Sequence, residues 1–441
     1  MRRSCLYKIL YISLLLLFLV VPSTSARPTK AMLNVTMRWD VVADGVLENA
    51  DLDVTIPTAS ANQRIISMNF SDSYRTVADA ESQIRFEFGN VRAKRISANF
   101  IIETDYIERN RDYANDEVRN EYYNQTESIV INDEIKDLAK SINDSSPPIE
   151  LYKISKWVYD NVKYDISYTD VTTSDITQVN MPSDWVMKMR TGVCDEFSNL
   201  FIALARAKGY ASRIIIGYVY VDRQWIPHAW VETFIPEYGW VEIDPTHNQF
   251  LNLNALRVRT GVSSDITRLR DSINASSKEA RSVSLTTDTQ IEIINYTETD
   301  PVEMSVLFSP QPALDTNQPV IVSMRNEADA PVFLNAMFVP PVSVECSECA
   351  KTVVINGSKT NHWELNLKLP TMMANVKYVF PNTIVTEYGT TEASFERIQI
   401  EQSPEEKYSS VEDLPVSFKI FVGLFIIAAV AIVAIAIVLG L

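Results

Sequence analysis

A stretch in the middle of the chain, residues 185–246, constrains the fold more than any other part, because a helical pattern there is followed at once by two strand patterns. Apolar residues recur at i, i+3, i+4 and i+7 from Phe197 to Leu204, which predicts an amphipathic helix. Gly209 supplies a stop, and the helix is predicted to begin at or near Cys194. The sequence therefore predicts an α+β unit with a cysteine at a helix N-terminus.

The two strand patterns carry one polar residue each that matters for chemistry. Residues 225–234 alternate around His228, and residues 239–244 predict a second strand that ends at Asp244. If these strands pair across the turn at residues 236–239, an aspartate at the strand end can accept a hydrogen bond from the histidine. The imidazole would then be held in the tautomer that takes a proton from a thiol.

A cysteine at a helix N-terminus is suited to nucleophilic chemistry, because the free N–H groups and the positive end of the helix dipole stabilise a thiolate. Asp195 and Glu196 would partly counter this effect. Taken singly, the cysteine is more often a small buried hydrophobe, the histidine a structural residue and Asp244 a turn former before proline. It is their combination that predicts a thiol that transfers acyl groups.

The ordered set of motifs resembles the transglutaminase-like superfamily, which includes peptide N-glycanases and prokaryotic cysteine-peptidase-like proteins. The resemblance implies a papain-like core with Cys194 as nucleophile, His228 as base and Asp244 as its orienting partner. Glu196 and Asn199 also resemble the C-x-E-x-x-N of the glycanase branch. The matching motifs are Gly192-Val-Cys194, an R-x-x-G-x-x-x-R formed by Arg206, Gly209 and Arg213, then His228-Ala-Trp230, Gly239-Trp240 and Asp244-Pro-Thr246.

The chain also departs from this family in ways that bear on its activity. Val193 and Asp195 replace the residues that flank the nucleophile in the Gln-Cys-Trp of the cross-linking branch, which argues against protein cross-linking. Hydrolysis is the expected outcome of the acyl transfer. The oxyanion hole is predicted to use the Cys194 backbone N–H, with the side chain of Gln178 or Trp185 as its partner. Nothing resembles a calcium loop, and neither a metal nor a cofactor is expected.

The rest of the chain predicts β-domains on either side of this core. Short alternating runs predict an N-terminal β-sandwich over residues 27–107, followed by the core over 108–300 with helices near 131–142 and 149–162. A polar segment at 108–127 is interpreted as the link into the core. An immunoglobulin-like sandwich is predicted over 301–401, followed by a stalk over 402–419.

Both ends of the chain predict export and a membrane anchor. Residues 1–26 have the pattern of a signal peptide, and the uncharged residues 420–441 are long enough for one transmembrane helix. A cleaved lipid-anchor signal is the alternative for the C-terminal tail. We therefore expect a single-pass membrane protein whose bulk is extracytoplasmic. Seven sequons are consistent with this location and are glycosylation candidates at Asn34, Asn69, Asn124, Asn143, Asn274, Asn295 and Asn356.

Charge and the remaining motifs narrow the partners. Forty Lys and Arg against 56 Asp and Glu give a net charge of −16, which disfavours nucleic acid as a partner. In an exported chain Cys346 and Cys349 predict a local disulfide rather than a redox motif or a zinc site. His247 adjoins Asp244-Pro-Thr246; a structural role is expected for it, and lining the same cleft is the alternative. Trp225, Trp230 and Trp240 are predicted to pack against the sheet, although an aromatic wall beside the thiol is an alternative.

Two functions remain from the sequence. The first is a membrane-anchored extracytoplasmic thiol enzyme, a peptidase, amidase or acyl transferase, that attacks amide or peptide carbonyls of a cell-envelope protein or peptide through an acyl-enzyme on Cys194. The second is a surface binding or adhesion protein that uses the same fold as a non-catalytic scaffold. An open cleft above the thiol favours the enzyme, and a closed-off thiol favours the scaffold.

Overall fold

The computed structural model describes residues 28–77, 82–106, 118–168, 180–309, 317–373 and 376–398. The predicted signal peptide at 1–26, stalk at 402–419 and transmembrane helix at 420–441 lie outside these residues. Within them, no helix has both the length and the apolar character needed to cross a membrane. Most of the described chain is β-sheet, and its few helices are concentrated in the central domain.

Strands and helices follow one another in three groups along the chain. The first group is β1 (Pro28–Leu47), β2 (Asn49–Thr55), β3 (Gln63–Phe70), β4 (Arg75–Thr76), β5 (Gln83–Phe88) and β6 (Val91–Asp105). The second is α1 (Asp133–Ser141), α2 (Pro147–Asn161), β7 (Lys163–Tyr164), α3 (Ser183–Met189), β8 (Thr191–Gly192), α4 (Cys194–Ala207), β9 (Ser212–Val221), β10 (Gln224–Ile235), β11 (Gly239–Asp244), β12 (Gln249–Phe250) and β13 (Arg257–Ser263). The third is β14 (Ser272–Ser276), β15 (Val283–Glu298), β16 (Val302–Phe308), β17 (Asn317–Asn326), β18 (Val332–Val339), β19 (Glu345–Ser347), β20 (Ala350–Ile355), β21 (Thr360–Lys368), β22 (Lys377–Val385) and β23 (Thr390–Ile398).

The N-terminal domain is a sandwich of two four-stranded sheets, ordered β15-β1-β6-β3 and β14-β2-β5-β4. The alternation predicted for its first strand is confirmed, since β1 buries every second residue from Ala31 to Val41. These side chains share one core with those of β2, β5 and β6. The alternation of apolar and polar residues thus corresponds to one buried face on each sheet of this domain.

Two strands of the N-terminal sandwich come from far along the chain. β14 pairs with β2, and β15 pairs along almost the whole of β1, from Pro28 opposite Glu298 to Ala43 opposite Val283. The sequence patterns predict a core over residues 108–300. The strand pairing instead groups residues 272–298 with the N-terminal sheets, so the core lies between strands of one sandwich.

The central domain is a five-stranded antiparallel sheet, ordered β12-β11-β10-β9-β13, with helices on one face. Ile214 contributes to the helical core and its neighbour Ile215 to the core of the N-terminal sandwich, so the sheet is covered on both faces. Helix α4 is buried from Cys194 to Arg206. Its predicted start, and the predicted pairing of β10 with β11, are both confirmed.

The segment interpreted as a linker contributes to this domain where the structure describes it. Tyr122 lies in a short 3-10 helix (Asn120–Tyr123), is buried, and packs edge-on against Trp240 with ring centroids 5.5 Å apart. Its polar neighbours hid this contact, because a single buried aromatic residue leaves no periodic pattern.

The C-terminal domain is a second two-sheet sandwich, ordered β16-β17-β21-β19 and β20-β18-β22-β23. Cys346 and Cys349 form a disulfide in it. Asn252 joins this sandwich to the core, because its amide donates to the carbonyls of Tyr106 and Pro331 and its oxygen accepts from the Phe333 backbone N–H. An immunoglobulin-like topology stays a prediction.

Candidate active site

Cys194 is the first residue of α4 and is 8% exposed, at the edge of a cleft between the core sheet and the N-terminal sandwich. The turn before it depends on Gly192, because an added Cβ there would lie 2.4 Å from the Cβ of Glu196. The turn that leads into the helix at Cys194 therefore requires glycine at position 192. Cys194 is the free cysteine in the described part of the chain.

Glu196 and Asn199 hold the polypeptide that leads into this helix. The Glu196 carboxylate accepts from the backbone N–H groups of Met181 and Val193, each at 2.9 Å. The Asn199 amide donates to the Asn180 side-chain oxygen at 2.7 Å and to the Met181 carbonyl at 3.1 Å. Both side chains therefore fix the backbone around the thiol rather than entering the cleft themselves.

His228 and Asp244 meet as the strand pairing predicted. The imidazole Nε2 lies 2.9 Å from Asp244 Oδ2, with both side chains buried. The other nitrogen, Nδ1, makes no hydrogen bond to any residue the structure describes, and His228 lines the same cleft as Cys194. In the described chain no hydrogen bond joins the Cys194 thiol to the His228 imidazole. The thiol Sγ lies 3.5 Å from Asp195 Oδ1 instead.

Gly217 lets the histidine strand sit against its neighbour. It is opposite His228 in the pairing of β9 with β10. An added Cβ at this position would lie 1.9 Å from the Val258 carbonyl oxygen and 2.9 Å from the Trp230 ring. Three strands therefore approach so closely beneath the imidazole that no side chain fits.

Asp244 is shared by more groups than the sequence indicated. His247 Nδ1 lies 3.0 Å from the same Oδ2, and Arg257 Nη2 lies 3.3 Å from it. Oδ1 accepts from the backbone N–H groups of Thr246 and His247. His247, interpreted as structural from the sequence, is thus a direct partner of the candidate orienting carboxylate, and its i+3 spacing in the turn after β11 was the available signal.

His228, Asp244 and His247 also form a set of ligand types that can hold a metal ion, with their ligand atoms within 4.8 Å of one another. The hydrogen bonds at 2.9 and 3.0 Å already occupy these atoms. The Arg257 guanidinium beside the same oxygen would repel a cation. This donor set fits a hydrogen-bonded charge cluster better than a metal centre, and we assign no ion to it.

The surroundings of these groups determine their charges. Burial lowers the pKa of His228, although Asp244 opposes that shift. Burial would raise the pKa of Asp244, but the charges and hydrogen bonds of His228 and His247 outweigh it and hold that pKa well below its usual range. The hydrogen bond to Asp244 raises the pKa of His247. At neutral pH the site therefore pairs a neutral His228 imidazole with an ionised carboxylate.

The thiol starts in its protonated form. Burial and the neighbouring carboxyl of Asp195 raise the pKa of Cys194, while the Ala229 backbone N–H opposes this by hydrogen bonding to the sulfur. Burial and the charge of Glu196 raise the pKa of Asp195 to about 7. Cys194 ionisation therefore depends on a proton acceptor and on the charge of its own neighbour.

The cleft has a volume of about 470 Å³ and runs from the thiol to the N-terminal sandwich. Met37, Thr55 and Thr287 of the sandwich line one side of it, and Tyr218 and Thr260 of the core line another. This sandwich contribution could not be predicted, because it depends on β1 and β15 reaching the core. Tyr164 is half-exposed near the thiol, and burial together with the charges of Cys194 and Asp195 raises its pKa to about 12.

Neither predicted side-chain partner of the oxyanion hole is found in the described lining of the cleft. Gln178 lies outside the described residues. Trp185 packs against the helical core and does not line the cleft. Asn180, which sequence reasoning did not single out, does line the cleft beside Cys194.

The remaining motif residues are structural. Arg206 donates to the carbonyls of Ser212 and Ser264, and Arg213 pairs with the buried Glu232 at 2.8 Å while stacking 3.8 Å above Trp240. Trp230 is fully buried and donates to Glu242 at 2.9 Å.

Six sequon asparagines are exposed, whereas Asn34 is half-buried and hydrogen-bonded to Glu292 and Asn99.

Comparison with known proteins places this site in a recognised domain. Residues 136–245 match the model of the transglutaminase-like superfamily, a range that includes Cys194, His228 and Asp244. The central domain therefore has a transglutaminase-like core.

Individual relatives are similar over short regions only. An uncharacterized protein of Mycobacterium tuberculosis is 30% identical over 128 residues, which are 26% of this chain and 41% of that protein. A protein-glutamine gamma-glutamyltransferase of Pseudomonas aeruginosa is 31% identical over 74 residues, 14% of this chain and 11% of that protein. The chain thus spans less than half the length of the curated relatives it matches.

Among solved structures, similarity is longer and looser. A Cytophaga hutchinsonii protein described provisionally as a cysteine protease aligns with 61% of this chain and 93% of its own, at 16% identity and a TM-score of 0.45. Red sea bream transglutaminase aligns with 85% of this chain and 81% of its own, at 12% identity and a TM-score of 0.22.

Proposed function

We propose that this protein is a thiol enzyme that attacks amide or peptide carbonyls through an acyl-enzyme on Cys194, with hydrolysis as the favoured outcome. The observation that carries the proposal is the arrangement around one cleft. Cys194 is the first residue of α4 and lies at the edge of the cleft. His228 also lines the cleft and is hydrogen-bonded to Asp244 at 2.9 Å, while its Nδ1 makes no hydrogen bond in the described chain. This order of nucleophile, base and orienting carboxylate is what thiol acyl transfer requires.

The reaction begins from the neutral pair. His228 Nδ1 takes the proton from Cys194 Sγ while the thiolate forms a bond to the carbonyl carbon, and Asp244 stabilises the resulting imidazolium. The Ala229 backbone N–H stabilises the thiolate, and the Cys194 backbone N–H at the helix N-terminus is placed to stabilise the oxyanion. Collapse breaks the C–N bond, and the leaving amine takes the proton from His228. Water, deprotonated by His228, then adds to the thioester carbonyl. The C–S bond breaks, the carboxylic acid leaves, and Sγ takes the proton back from His228.

We also propose that the bulk of the chain acts outside the cytoplasm, anchored through residues 420–441, on a protein or peptide of the cell envelope. The pattern of residues 1–26, the exposed sequons and the disulfide support this location. Protease treatment of intact cells tests it, since an extracytoplasmic chain is digested while a cytosolic marker survives. A chain that stays protected until the cells are lysed would disprove the location.

Active-site labelling tests the chemistry. The full chain in detergent, carrying Cys5→Ser so that Cys194 is its one thiol, should react with one equivalent of iodoacetamide, and added Cys194→Ala should abolish the reaction. His228→Ala should slow it at neutral pH. Equal labelling with and without Cys194→Ala, or no effect of His228→Ala, would contradict the proposal.

Substrate discovery uses the same pair of proteins. Envelope peptides should change after exposure to the active chain and stay unchanged after exposure to Cys194→Ala, as measured by mass spectrometry. New carboxyl termini or deamidated side chains indicate hydrolysis, and new amide links indicate transfer to an amine.

A non-catalytic surface-binding protein is the second candidate, and a specific observation favours it. Cys194 is buried, its pKa is raised, and its hydrogen-bonding side-chain partner in the described chain is Asp195 rather than His228. Under this function the unlabelled parent chain would turn over no envelope peptide, while Cys194→Ala would bind surface ligands as well as the parent.

A further inference from the structure

Among the described residues that line the cleft beside Cys194, one has an exposed cationic side chain. Arg270 lies between the 3-10 turn at Ile266–Arg268 and strand β14, lines the cleft with Cys194 and Asp195, and is exposed. Its backbone carbonyl accepts from Gln83, but its guanidinium makes neither a hydrogen bond nor an ion pair in the described chain. A guanidinium carries five N–H donors, so these are available to a ligand.

The aspartate next to Arg270 is not its counter-ion. Asp271 Oδ1 accepts from the Thr55 backbone N–H at 2.9 Å and from the Thr55 hydroxyl at 3.3 Å. Its Oδ2 accepts from the Trp39 indole at 2.9 Å and the Thr287 hydroxyl at 3.2 Å. Four donors occupy this carboxylate and turn it toward the sandwich.

The other carboxyl of the cleft neutralises Arg270 only partly. Asp195 is 7% exposed, and the charge of Arg270 acts on its carboxyl, but no ion pair between these two side chains is present in the described chain. Burial keeps the Asp195 carboxyl largely protonated below neutral pH, because its pKa is about 7. Among the described residues that line the cleft, the charged side chain classed as exposed is therefore that of Arg270, while Asp195 is buried and Asp271 is half-buried and hydrogen-bonded to the sandwich.

From this arrangement we infer that Arg270 binds a carboxylate of the substrate, next to the carbonyl that Cys194 attacks. The inference rests on the proposed function and narrows its substrates to acyl compounds that carry an acidic group close to the reacting amide. The planar guanidinium matches a carboxylate with two parallel N–H···O bonds. The group is either an acidic side chain or a free α-carboxylate.

The negative charge of the whole chain does not oppose this. Although the net charge is −16, charges farther than about 8–10 Å are largely screened at physiological ionic strength. A carboxylate in contact with Arg270 responds mainly to that guanidinium. The pairing within the cleft therefore outweighs the distant field.

Three affinity labels test the inference on the full chain with Cys5→Ser. They are N-iodoacetyl-glutamine amide, which is neutral, N-iodoacetyl-glutamine, which has a free α-carboxylate, and N-iodoacetyl-isoglutamine, which has a free side-chain carboxylate. In each, Sγ displaces iodide from the CH₂ carbon, and the thiol proton passes to His228. Second-order rates are compared among the parent, Arg270→Gln, Arg270→Lys and Arg268→Gln.

The Arg268 variant is the matched control. It loses the same charge two residues away, but the Arg268 side chain pairs with Glu121 at 2.8 Å and does not line the cleft. One anionic label should react roughly tenfold faster than the neutral label in the parent and in Arg268→Gln, a preference of the size expected for a charge-assisted hydrogen bond. Arg270→Gln should abolish the preference, and Arg270→Lys should keep part of it. The faster anionic label identifies which carboxylate is bound.

Several outcomes would overturn the inference. They are equal rates for all three labels in the parent, a preference that survives Arg270→Gln, or one that Arg268→Gln removes equally. Failure of the neutral label to modify Cys194 would instead count against the proposed thiol chemistry. In that case calorimetry of the N-acetyl analogues on Cys194→Ser decides, since tighter binding of an anionic analogue that Arg270→Gln removes supports the inference, and equal binding rejects it.

Discussion

The thiol of Cys194 donates to the carboxyl of the residue that follows it, Asp195, with Sγ 3.5 Å from Oδ1. Both side chains are buried in the first turn of α4. The carboxyl that suits the start of a helix electrostatically is thus the group that most directly opposes a thiolate beside it.

Asp195→Asn should make the thiol more reactive. Burial and the Asp195 charge raise the pKa of Cys194, and the substitution removes the second cause. Like-charge repulsion worth one pKa unit corresponds to a rate gain of roughly tenfold where the thiol is mostly protonated. The gain should be largest above pH 7, where Asp195 itself ionises.

Iodoacetamide labelling across pH 6–9 measures this effect. Asp184→Asn is the control, because Asp184 is also an acidic residue in a first helical turn, that of α3, but does not line the cleft. A profile for Asp195→Asn that coincides with the parent would show that the neighbouring carboxyl does not govern the thiol.

His247→Gln should lose stability mainly at acidic pH. The pKa of His247 is raised in the folded state, so its contribution is fully present below the ordinary value of 6.5 and is lost as pH rises through the raised value. Asp244 stays ionised there, because its pKa is well below 3.8. The His247 side chain is 34% exposed, so we expect about 1 kcal/mol.

Melting temperatures at pH 5.5 and pH 9 test this. The melting temperature of the parent should exceed that of His247→Gln by more at pH 5.5 than at pH 9. His362→Gln, which removes an imidazole bonded to the Ser323 hydroxyl instead of a carboxylate, should show no comparable dependence. A deficit of the same size at both pH values would contradict the assignment.

Glu196→Gln should loosen the approach to the thiol. A glutamine has one side-chain oxygen, so it cannot accept from both Met181 and Val193, and one buried N–H loses its partner at a cost of about 1–3 kcal/mol. Part of this is offset, since burial raises the pKa of Glu196 and the neutral amide avoids that penalty. Urea denaturation and the Cys194 labelling rate should both change. Glu237→Gln, at an exposed position, serves as the control. An unchanged labelling rate in Glu196→Gln would show that the hydrogen bonds of Glu196 to Met181 and Val193 are not needed to position the thiol.

Gly217→Ala should prevent correct assembly of the site. The new methyl would lie 1.9 Å from the Val258 carbonyl, so β9 and β13 must separate where β9 supports His228. Gly209→Ala is the comparison: it has a φ of +91° and nothing within 4 Å, and should cost only about 1–2 kcal/mol of backbone strain. Near-parental folding and labelling of Gly217→Ala would refute the steric argument.

Local patterns predicted the elements of the candidate site well. The start of α4 followed from helical spacing before Gly209, and the meeting of His228 with Asp244 followed from two alternating strands joined by a short turn. Such contacts depend on neighbours within about twenty residues, which periodicity reports directly.

Other parts of the site depend on contacts that periodicity does not report. Strand β15 joins β1 across more than two hundred residues, and Thr287 reaches the cleft only through that pairing. Arg270 lies in an irregular segment without a pattern. The contact of His247 with Asp244 was missed because a histidine after a turn is common without function. The opposing effect of Asp195 on a thiolate, in contrast, was predicted from its position beside Cys194.

The long pairing of β1 with β15 constrains the order in which this protein is made. β1 lies inside its sheet, with β6 on one edge and β15 on the other. During synthesis the β6 edge can pair early, but the other edge stays open until residues 283–298 emerge, after the whole transglutaminase-like core. Open edges recruit strands from other chains, so ribosomes stalled before residue 283 should yield products prone to association, and longer products should not.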